Sequence, residues 1–216
     1  MSASVADVDA LIERHREEWE ASTSAPAFIA GARDGTLDTG AFERWLAQDR
    51  HFIDGLYDAQ LRVAALASDK ARRTLLDGVV ALQEELDWFA EQSVERGIRL
   101  DVEPVDDCLA FVEYLLTLAF APLAVALTAI WAVERSYLDA WGAARPGAER
   151  YREFVEHWSS EGFHAYVDRL RDAANEALSA ASEGDRREAG HAFRRVMAFE
   201  RRFWQMTESG EQRAGS

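Results

Sequence analysis

The sequence predicts an all-α protein, and three observations support this fold class. Only four prolines occur in 216 residues, and no Asn-Gly or Asp-Gly hairpin separates runs of alternating apolar and polar residues, as β-strands would require. Alanine, leucine, arginine and glutamate, which favour helix, fill long uninterrupted segments. Apolar residues also recur at the spacing of a helix face. We therefore expect a multi-helix bundle of about eight helices.

Start and stop signals place these helices along the chain. The expected spans are roughly 5–21, 25–32, 39–67, 69–96, 105–119, 122–143, 147–180 and 185–208. Asp38 can cap the third helix, Pro122 suits the first turn of the sixth, and Gly97 suits the end of the fourth. Ser159-Ser160 should bend the seventh. We predict a single domain over residues 1–208, followed by a frayed tail at 209–216.

Composition and charge limit the partners that this chain can have. The formal net charge of -15 opposes contact with nucleic acid and with anionic membrane surfaces. A single cysteine, Cys108, excludes an internal disulfide framework and suits a reducing compartment. The N-terminus does not resemble a leader peptide, and no apolar run is long enough for a membrane span. These features predict a cytoplasmic protein.

Three carboxylates lie within apolar helical stripes. Asp49 shares its stripe with Phe42, Trp45, Phe52 and Leu56, and Glu200 shares its stripe with Phe193, Met197, Phe203 and Trp204. Glu134 is flanked in the same way by Trp131, Tyr137, Leu138 and Trp141. A buried carboxylate must neutralise, find a partner or contact a ligand. These acids are therefore candidates for one internal site, with Phe52, Phe203, Trp131 and Trp158 as candidate aromatic walls.

A simpler interpretation of each acid is also open. Each one could pair with an inward-facing arginine, such as Arg135 or Arg201, or lie at the edge of its stripe and reach solvent. Aromatic stripes at helical spacing usually form core. The aromatic residues therefore gain a role in ligand binding only if the acids face one cavity.

Two segments carry a resemblance to a known family. The first contains Pro26-Ala27-Phe28, Asp34-Gly35-Thr36-Leu37, and the stretch from Phe42 through Trp45-Leu46 to Gln48-Asp49-Arg50-His51-Phe52. The second is Phe199-Glu200-Arg201-Arg202-Phe203-Trp204-Gln205-Met206. Their order and separation resemble the opening and final helices of the TenA/THI-4/PQQC family, and the segments 127–131 and 151–163 also align.

The resemblance implies a haem-oxygenase-like helical fold without bound haem or another cofactor. It also implies a homo-oligomer, dimer or tetramer, that acts on thiamine or its aminopyrimidine fragments. In such proteins, acids matching Asp49 and Glu200 hold the polar edge of a pyrimidine, and aromatic residues at positions like Phe52 and Phe203 stack on its ring. A carboxylate can accept hydrogen bonds from a ring amine and can transfer a proton.

The chain departs from the thiamine-cleaving members of that family. Those members carry a cysteine nucleophile in a Pro-Cys-x-Trp pattern and a tyrosine four residues after the cysteine. Here the corresponding positions are Thr128, Ala129, Trp131 and Val133. Cys108 lies in another predicted helix and is a poor substitute. The resemblance therefore predicts hydrolysis of an amide-bearing aminopyrimidine, with Glu200, Asp49 and Glu134 as catalytic acids, or a binding protein that has lost the chemistry.

A haem-oxygenase-like di-iron oxidase is a further alternative. His157, Glu161 and His164 are spaced four and three residues apart, which would place them on one helix face. Bundle di-iron sites use such combinations. Glu84, Glu85 and Glu134 could supply further ligands, but no histidine follows them at the required spacing. A solvated polar face is the simpler interpretation, and we expect no metal.

Overall fold

The computed structural model describes residues 7–208, and every regular element in this range is helical, which confirms the all-α prediction. The α-helices are α1 Asp9–Arg14, α2 Arg16–Ser22, α3 Ala27–Asp34, α4 Thr39–Leu66, α5 Asp69–Arg96, α6 Asp106–Thr117, α7 Leu123–Ala143, α8 Arg152–Trp158, α9 Glu161–Ala180 and α10 Glu183–Glu208. Short 3-10 turns cover Leu118–Phe120 and Glu149–Tyr151. The predicted tail at 209–216 lies outside the described residues.

Several helix ends form as the sequence predicts. The Asp38 carboxylate accepts a hydrogen bond from the Ala41 N–H at 2.9 Å and caps α4. Gly97 ends α5 in the left-handed region at φ 67°, a conformation that glycine adopts without a steric penalty. Pro122 immediately precedes α7, one position before the first turn. The long helices that carry the three acids are therefore set by local signals.

Two predicted helices are each divided in the structure. The first predicted helix is interrupted at His15, which separates α1 from α2. The predicted span 147–180 divides into a 3-10 turn, α8 and α9, because Ser159 and Ser160 form a break rather than a bend. The Ser159 hydroxyl donates to the Val155 carbonyl at 2.6 Å, and the Ser160 hydroxyl accepts from the Phe163 N–H and caps α9. Both hydroxyls compete with the helical hydrogen bonds.

The core lies around α7. This helix packs against α9 and α10 and also contacts α3 and α4, and α4 in turn packs against α5 and α6. Nearly every residue of α7 from Ala124 to Trp141 is buried, as expected for a helix that is apolar on all sides. Polar residues on α7 therefore face other helices. Within residues 7–208, no helix combines the length and apolarity that a membrane crossing would need.

Candidate functional site

Three helices bring the predicted acids into the interior. Asp49 on α4, Glu134 on α7 and Glu200 on α10 retain 0%, 6% and 1% exposure. None of the three lies at the solvent-facing edge of its stripe. Because a charge is costly to bury, their hydrogen-bond partners and electrostatic neighbours determine what the acids can do.

Asp49 is held from one side only. The Tyr137 hydroxyl donates a hydrogen bond to its Oδ1 atom, whereas its Oδ2 atom is buried without a partner. Burial raises the pKa of Asp49 well above its usual value, the hydrogen bond from Tyr137 opposes this rise, and the charge of Glu85 adds to it. The carboxyl group therefore favours its protonated form unless another donor reaches Oδ2.

Glu200 has a similar environment. Its Oε1 atom is buried and has no hydrogen-bond partner. Burial raises the pKa of Glu200 well above its usual value; a hydrogen bond with Ser136 lowers it, and the charges of Asp49 and Glu134 raise it further. Both Asp49 and Glu200 also raise the pKa of Tyr137. Asp49 and Glu134 thus both act electrostatically on Glu200.

Glu134 differs because its Oε1 atom has partners. The Gln60 side chain donates to this atom from 2.9 Å, and the Tyr166 hydroxyl lies 3.5 Å from it. Burial is the main cause that raises the pKa of Glu134 to about 8, and the charge of Glu85 adds to it. The hydrogen bonds from Gln60 and Tyr166 lower it. Near neutral pH, Glu134 is therefore mostly protonated yet able to ionise.

The arginines considered as partners do not pair with these acids. Arg135 binds Asp139 at 2.9 Å and approaches Asp9 at 3.9 Å. Arg201 is exposed. The interpretation that Arg135 or Arg201 neutralises a buried carboxylate is therefore wrong. The hydrogen bonds described above for Asp49 and Glu134 come instead from neutral tyrosine and glutamine side chains.

Aromatic rings border the Asp49 region. The ring of Phe52 lies 5.4 Å from that of Phe203 and 6.2 Å from that of Tyr137, measured between centroids. Trp158 contacts the same tyrosine at 5.8 Å. Two of the four predicted wall residues, Phe52 and Trp158, therefore contact the ring of Tyr137, and a third, Phe203, packs against Phe52.

Trp131, the fourth predicted wall residue, packs in a different place. Its ring contacts are with Trp19 at 6.5 Å and Phe193 at 6.3 Å. Its indole N–H is buried without a hydrogen-bond partner, and the same holds for Trp45 and Trp141. A role for Trp131 in ligand binding stays a prediction.

Two open depressions of the surface lie away from the acids. The larger, of about 600 Å³, is lined by Arg145, Glu156, Ser159, Ser160, Glu161, His164, Ala165 and Asp168. The smaller, of about 310 Å³, is lined by His51, Asp54, Gly55, Asp58, Pro104, Leu109, Val112 and Leu116. Neither depression contains a predicted catalytic acid.

The possible di-iron ligands do not share a helix face. His157 is near the end of α8, whereas Glu161 and His164 belong to α9. The imidazole of His157 stacks on Trp88 at 4.5 Å and lies 3.7 Å from a Glu85 oxygen. Among residues 7–208, no group of three or more histidine, cysteine, aspartate or glutamate side chains is arranged to hold a metal ion. The geometric premise of the di-iron alternative is therefore wrong.

Cys108 lies closer to the acids than the sequence suggests. Its thiol contacts the backbone carbonyl of Gln48 at 3.4 Å, next to Asp49 in the chain. Burial raises the pKa of this thiol to about 12, and the charge of Asp49 adds to the rise. Because the thiolate is the nucleophile, this cysteine is unreactive at neutral pH.

The residues that position the acids were not predicted from sequence. Tyr137 follows Glu134 by three residues, and in the sequence it belongs to the apolar stripe that flanks this acid. Gln60 lies eleven residues after Asp49, a spacing that returns to the same face of α4, and it is fully buried. A polar residue within an apolar stripe is the signal that identified the acids, and this signal also applies to Gln60.

Comparison with known proteins gives relatives over almost the whole chain. A probable bifunctional TENA-E protein of Glycine max is 29% identical over 208 residues, which cover 91% of this chain and 90% of that protein. A TenA homologue from Pyrococcus furiosus is 27% identical, with a TM-score of 0.87, over 92% of this chain and 98% of that one. The haem-oxygenase-like helical fold is shared with such homologues.

A third relative supports the fold alone. The structure of a putative TenA-like thiaminase from Sulfolobus solfataricus has a TM-score of 0.80 over 94% of this chain and 96% of that one, at 20% identity.

The model of the TENA/THI-4/PQQC family matches residues 12–210. This match includes α4, α7 and α10, which carry the three buried acids. The chain therefore belongs to the TENA/THI-4/PQQC family.

Proposed function

We propose that this protein hydrolyses an amide-bearing aminopyrimidine in thiamine salvage, and that it does so without a cysteine nucleophile. One observation carries the proposal. Asp49 and Glu200 are buried and electrostatically coupled, and each has one oxygen without a hydrogen-bond partner. A planar ring with N–H donors would supply the missing partners.

The relatives support a thiamine-related activity. This activity fits the TENA/THI-4/PQQC family and the similarity to the probable bifunctional TENA-E protein of Glycine max. Membership does not by itself select a substrate. The choice of an amide-bearing aminopyrimidine rests on the replacement of the expected cysteine nucleophile by Ala129 and on the buried acids.

The lack of a reactive cysteine among these residues argues against thiamine cleavage through a covalent adduct. The resemblance places Ala129 at the position of the family's cysteine nucleophile, and an alanine side chain cannot attack a substrate. Cys108 is held beneath α4 with a pKa of about 12. Attack by water, assisted by carboxyl groups, is then the remaining route for these residues.

Each buried acid would have a different role in amide hydrolysis. Asp49, oriented by Tyr137, would bind a ring amine through Oδ2, while Phe52 and Phe203 would contact the ring face. A ring N–H that reaches Glu200 Oε1 would favour the ionised form of this acid, which would then remove a proton from the attacking water. Glu134, with its pKa raised to about 8, would stay mostly protonated near neutral pH and would donate a proton.

The experiment compares two substrates. The purified protein is incubated with an N-formyl aminopyrimidine and, separately, with thiamine, and the release of formate and of free thiazole is followed. We expect formate without thiazole. Rapid release of thiazole would contradict the proposal, and ligand-induced stabilisation without turnover of either substrate would leave only a binding protein. Size-exclusion chromatography would test the expected dimer or tetramer.

A further inference from the structure

A chain of hydrogen bonds leads from α9 through α4 to Glu134. The Tyr166 hydroxyl donates to the Gln60 Oε1 atom at 2.9 Å, and the Gln60 Nε2 atom donates to Glu134 Oε1, also at 2.9 Å. Tyr166 and Gln60 are both buried. Each polar atom of the Gln60 amide thereby has a partner, and the amide orientation follows from the donor at one end and the acceptor at the other.

Gly78 on α5 makes room for this chain of hydrogen bonds. A Cβ atom at this position would overlap the Tyr166 hydroxyl oxygen and would lie 2.7 Å from Gln60 Oε1, which is far shorter than van der Waals contact. Any side chain at position 78 would therefore displace the tyrosine hydroxyl or the glutamine amide, although the helix itself would be more stable with alanine.

The chain of hydrogen bonds determines which oxygen of Glu134 carries the proton. Oε1 accepts the hydrogen bond from Gln60, whereas the single proton of the Tyr166 hydroxyl is donated to Gln60 Oε1, which fixes the amide that points its N–H at Glu134. Because Oε1 accepts this N–H, the proton of the neutral acid belongs on the other oxygen, Oε2. The ionisable residues that act on Glu134 are Glu85 on α5, Glu200 on α10 and Tyr166 on α9.

We propose that Gln60, Tyr166 and Gly78 are positioning residues that hold the proton of Glu134 on Oε2, where it serves as the general acid. This inference rests on the proposed function. Water adds to the amide carbonyl carbon as Glu200 takes its proton. The carbon–nitrogen bond then breaks, and the departing amine nitrogen takes the proton from Glu134 Oε2. Transfer of the proton from Glu200 back to Glu134 restores the starting state, and the products are the free amine and a carboxylic acid.

The test follows the titration of Glu134 in the ligand-free protein by carbon-13 NMR, with the signal assigned by its loss in Glu134→Gln. The original protein should titrate near pH 8. Tyr166→Phe removes a hydrogen bond that lowers the pKa of Glu134, so the midpoint should move upward. Gly78→Ala should produce the same upward shift, because it displaces the Tyr166 hydroxyl. Gly142→Ala is the matched control, since a Cβ there meets nothing within 4 Å, and it should leave the midpoint unchanged.

Turnover of the N-formyl substrate separates the inference from the proposed function. In Tyr166→Phe, the loss of activity at high pH should move upward with the midpoint, and kcat should fall by roughly tenfold with little change in KM. An unchanged midpoint in Tyr166→Phe would overturn the inference, even if Gly78→Ala failed to fold. A shifted midpoint in a protein without turnover would support the positioning network and contradict the proposed hydrolysis.

Discussion

The Asp49–Glu200 region and the Glu134 region contain the same kind of group in different hydrogen-bonding states. Asp49 and Glu200 each have one oxygen without a partner, whereas Glu134 Oε1 accepts from Gln60. Burial raises the pKa of all three acids. The two regions therefore differ in one respect: Asp49 and Glu200 each keep a buried oxygen without a hydrogen-bond partner, whereas Glu134 Oε1 is occupied by an amide donor.

Replacement of Glu200 by glutamine should cause the largest loss of activity. Glutamine keeps the shape of the side chain but cannot accept a proton from water, so kcat/KM for the N-formyl substrate should fall by about 10²- to 10⁴-fold. Steady-state kinetics measure the loss. Glu208→Gln, an exposed change at the end of the same helix, is the control. Retention of more than a tenth of the activity in Glu200→Gln would remove the base from the proposed mechanism.

Replacement of Glu134 by glutamine should alter how stability depends on pH. The pKa of Glu134 is raised to about 8 in the folded protein, against a usual value of 4.5. Between these values the folded state binds the extra proton, so the Glu134 contribution to the unfolding free energy falls as pH rises, by up to about 1.4 kcal/mol per pH unit. Glu134→Gln removes this contribution.

Urea unfolding between pH 5 and pH 8 measures the predicted change. The unfolding free energy of Glu134→Gln, relative to that of the original protein, should increase steadily from pH 5 to pH 8. At about 1.4 kcal/mol per pH unit, the total change across this range amounts to a few kcal/mol. The exposed change Glu208→Gln should follow the original protein. Parallel curves for Glu134→Gln and the original protein would mean that Glu134 titrates normally.

The fold was largely predictable from sequence, because its signals are local. Helical spacing, the Asp38 cap and the glycine at position 97 specify the long helices from a few neighbouring residues. The break at Ser159-Ser160 was predicted only as a bend, because the two serine hydroxyls could either compete with helical hydrogen bonds or face solvent. That single break divides the spacing on which the His157, Glu161 and His164 alternative depended.

The burial of the acids followed from sequence, whereas their partners did not. A helical stripe determines that Asp49 points inward, but it does not determine which residue of another helix meets it. Tyr137 reaches Asp49 across 88 positions, and Tyr166 reaches Gln60 across 106. These contacts depend on how α4, α7 and α9 pack, which no pattern within one helix specifies.

Replacement of Tyr137 by phenylalanine should destabilise the Asp49 region by a smaller amount. The change removes the hydroxyl that donates a hydrogen bond to Asp49 Oδ1. Since Oδ2 already has no partner, the carboxyl group then lacks a hydrogen bond from tyrosine at either oxygen. An unsatisfied buried polar group of this kind costs about 1–3 kcal/mol. Chemical unfolding measures the loss, with Tyr114→Phe, a change at a partly exposed ring on α6, as the control. Equal stability of the two variants would mean that the hydroxyl contributes nothing to holding Asp49.

Replacement of Cys108 by alanine should have the smallest effect on turnover. Cys108 is the single cysteine of the sequence, and its thiol contacts the backbone carbonyl of Gln48, next to Asp49 in the chain. With a pKa of about 12, less than about one thiol in 10⁴ is ionised at pH 7. Kinetics of Cys108→Ala on the N-formyl substrate should therefore stay within about twofold of the original protein, and the small void should cost no more than about 1 kcal/mol of stability. A loss of activity as large as that of Glu200→Gln would identify Cys108 as a nucleophile and would assign the acids a supporting role.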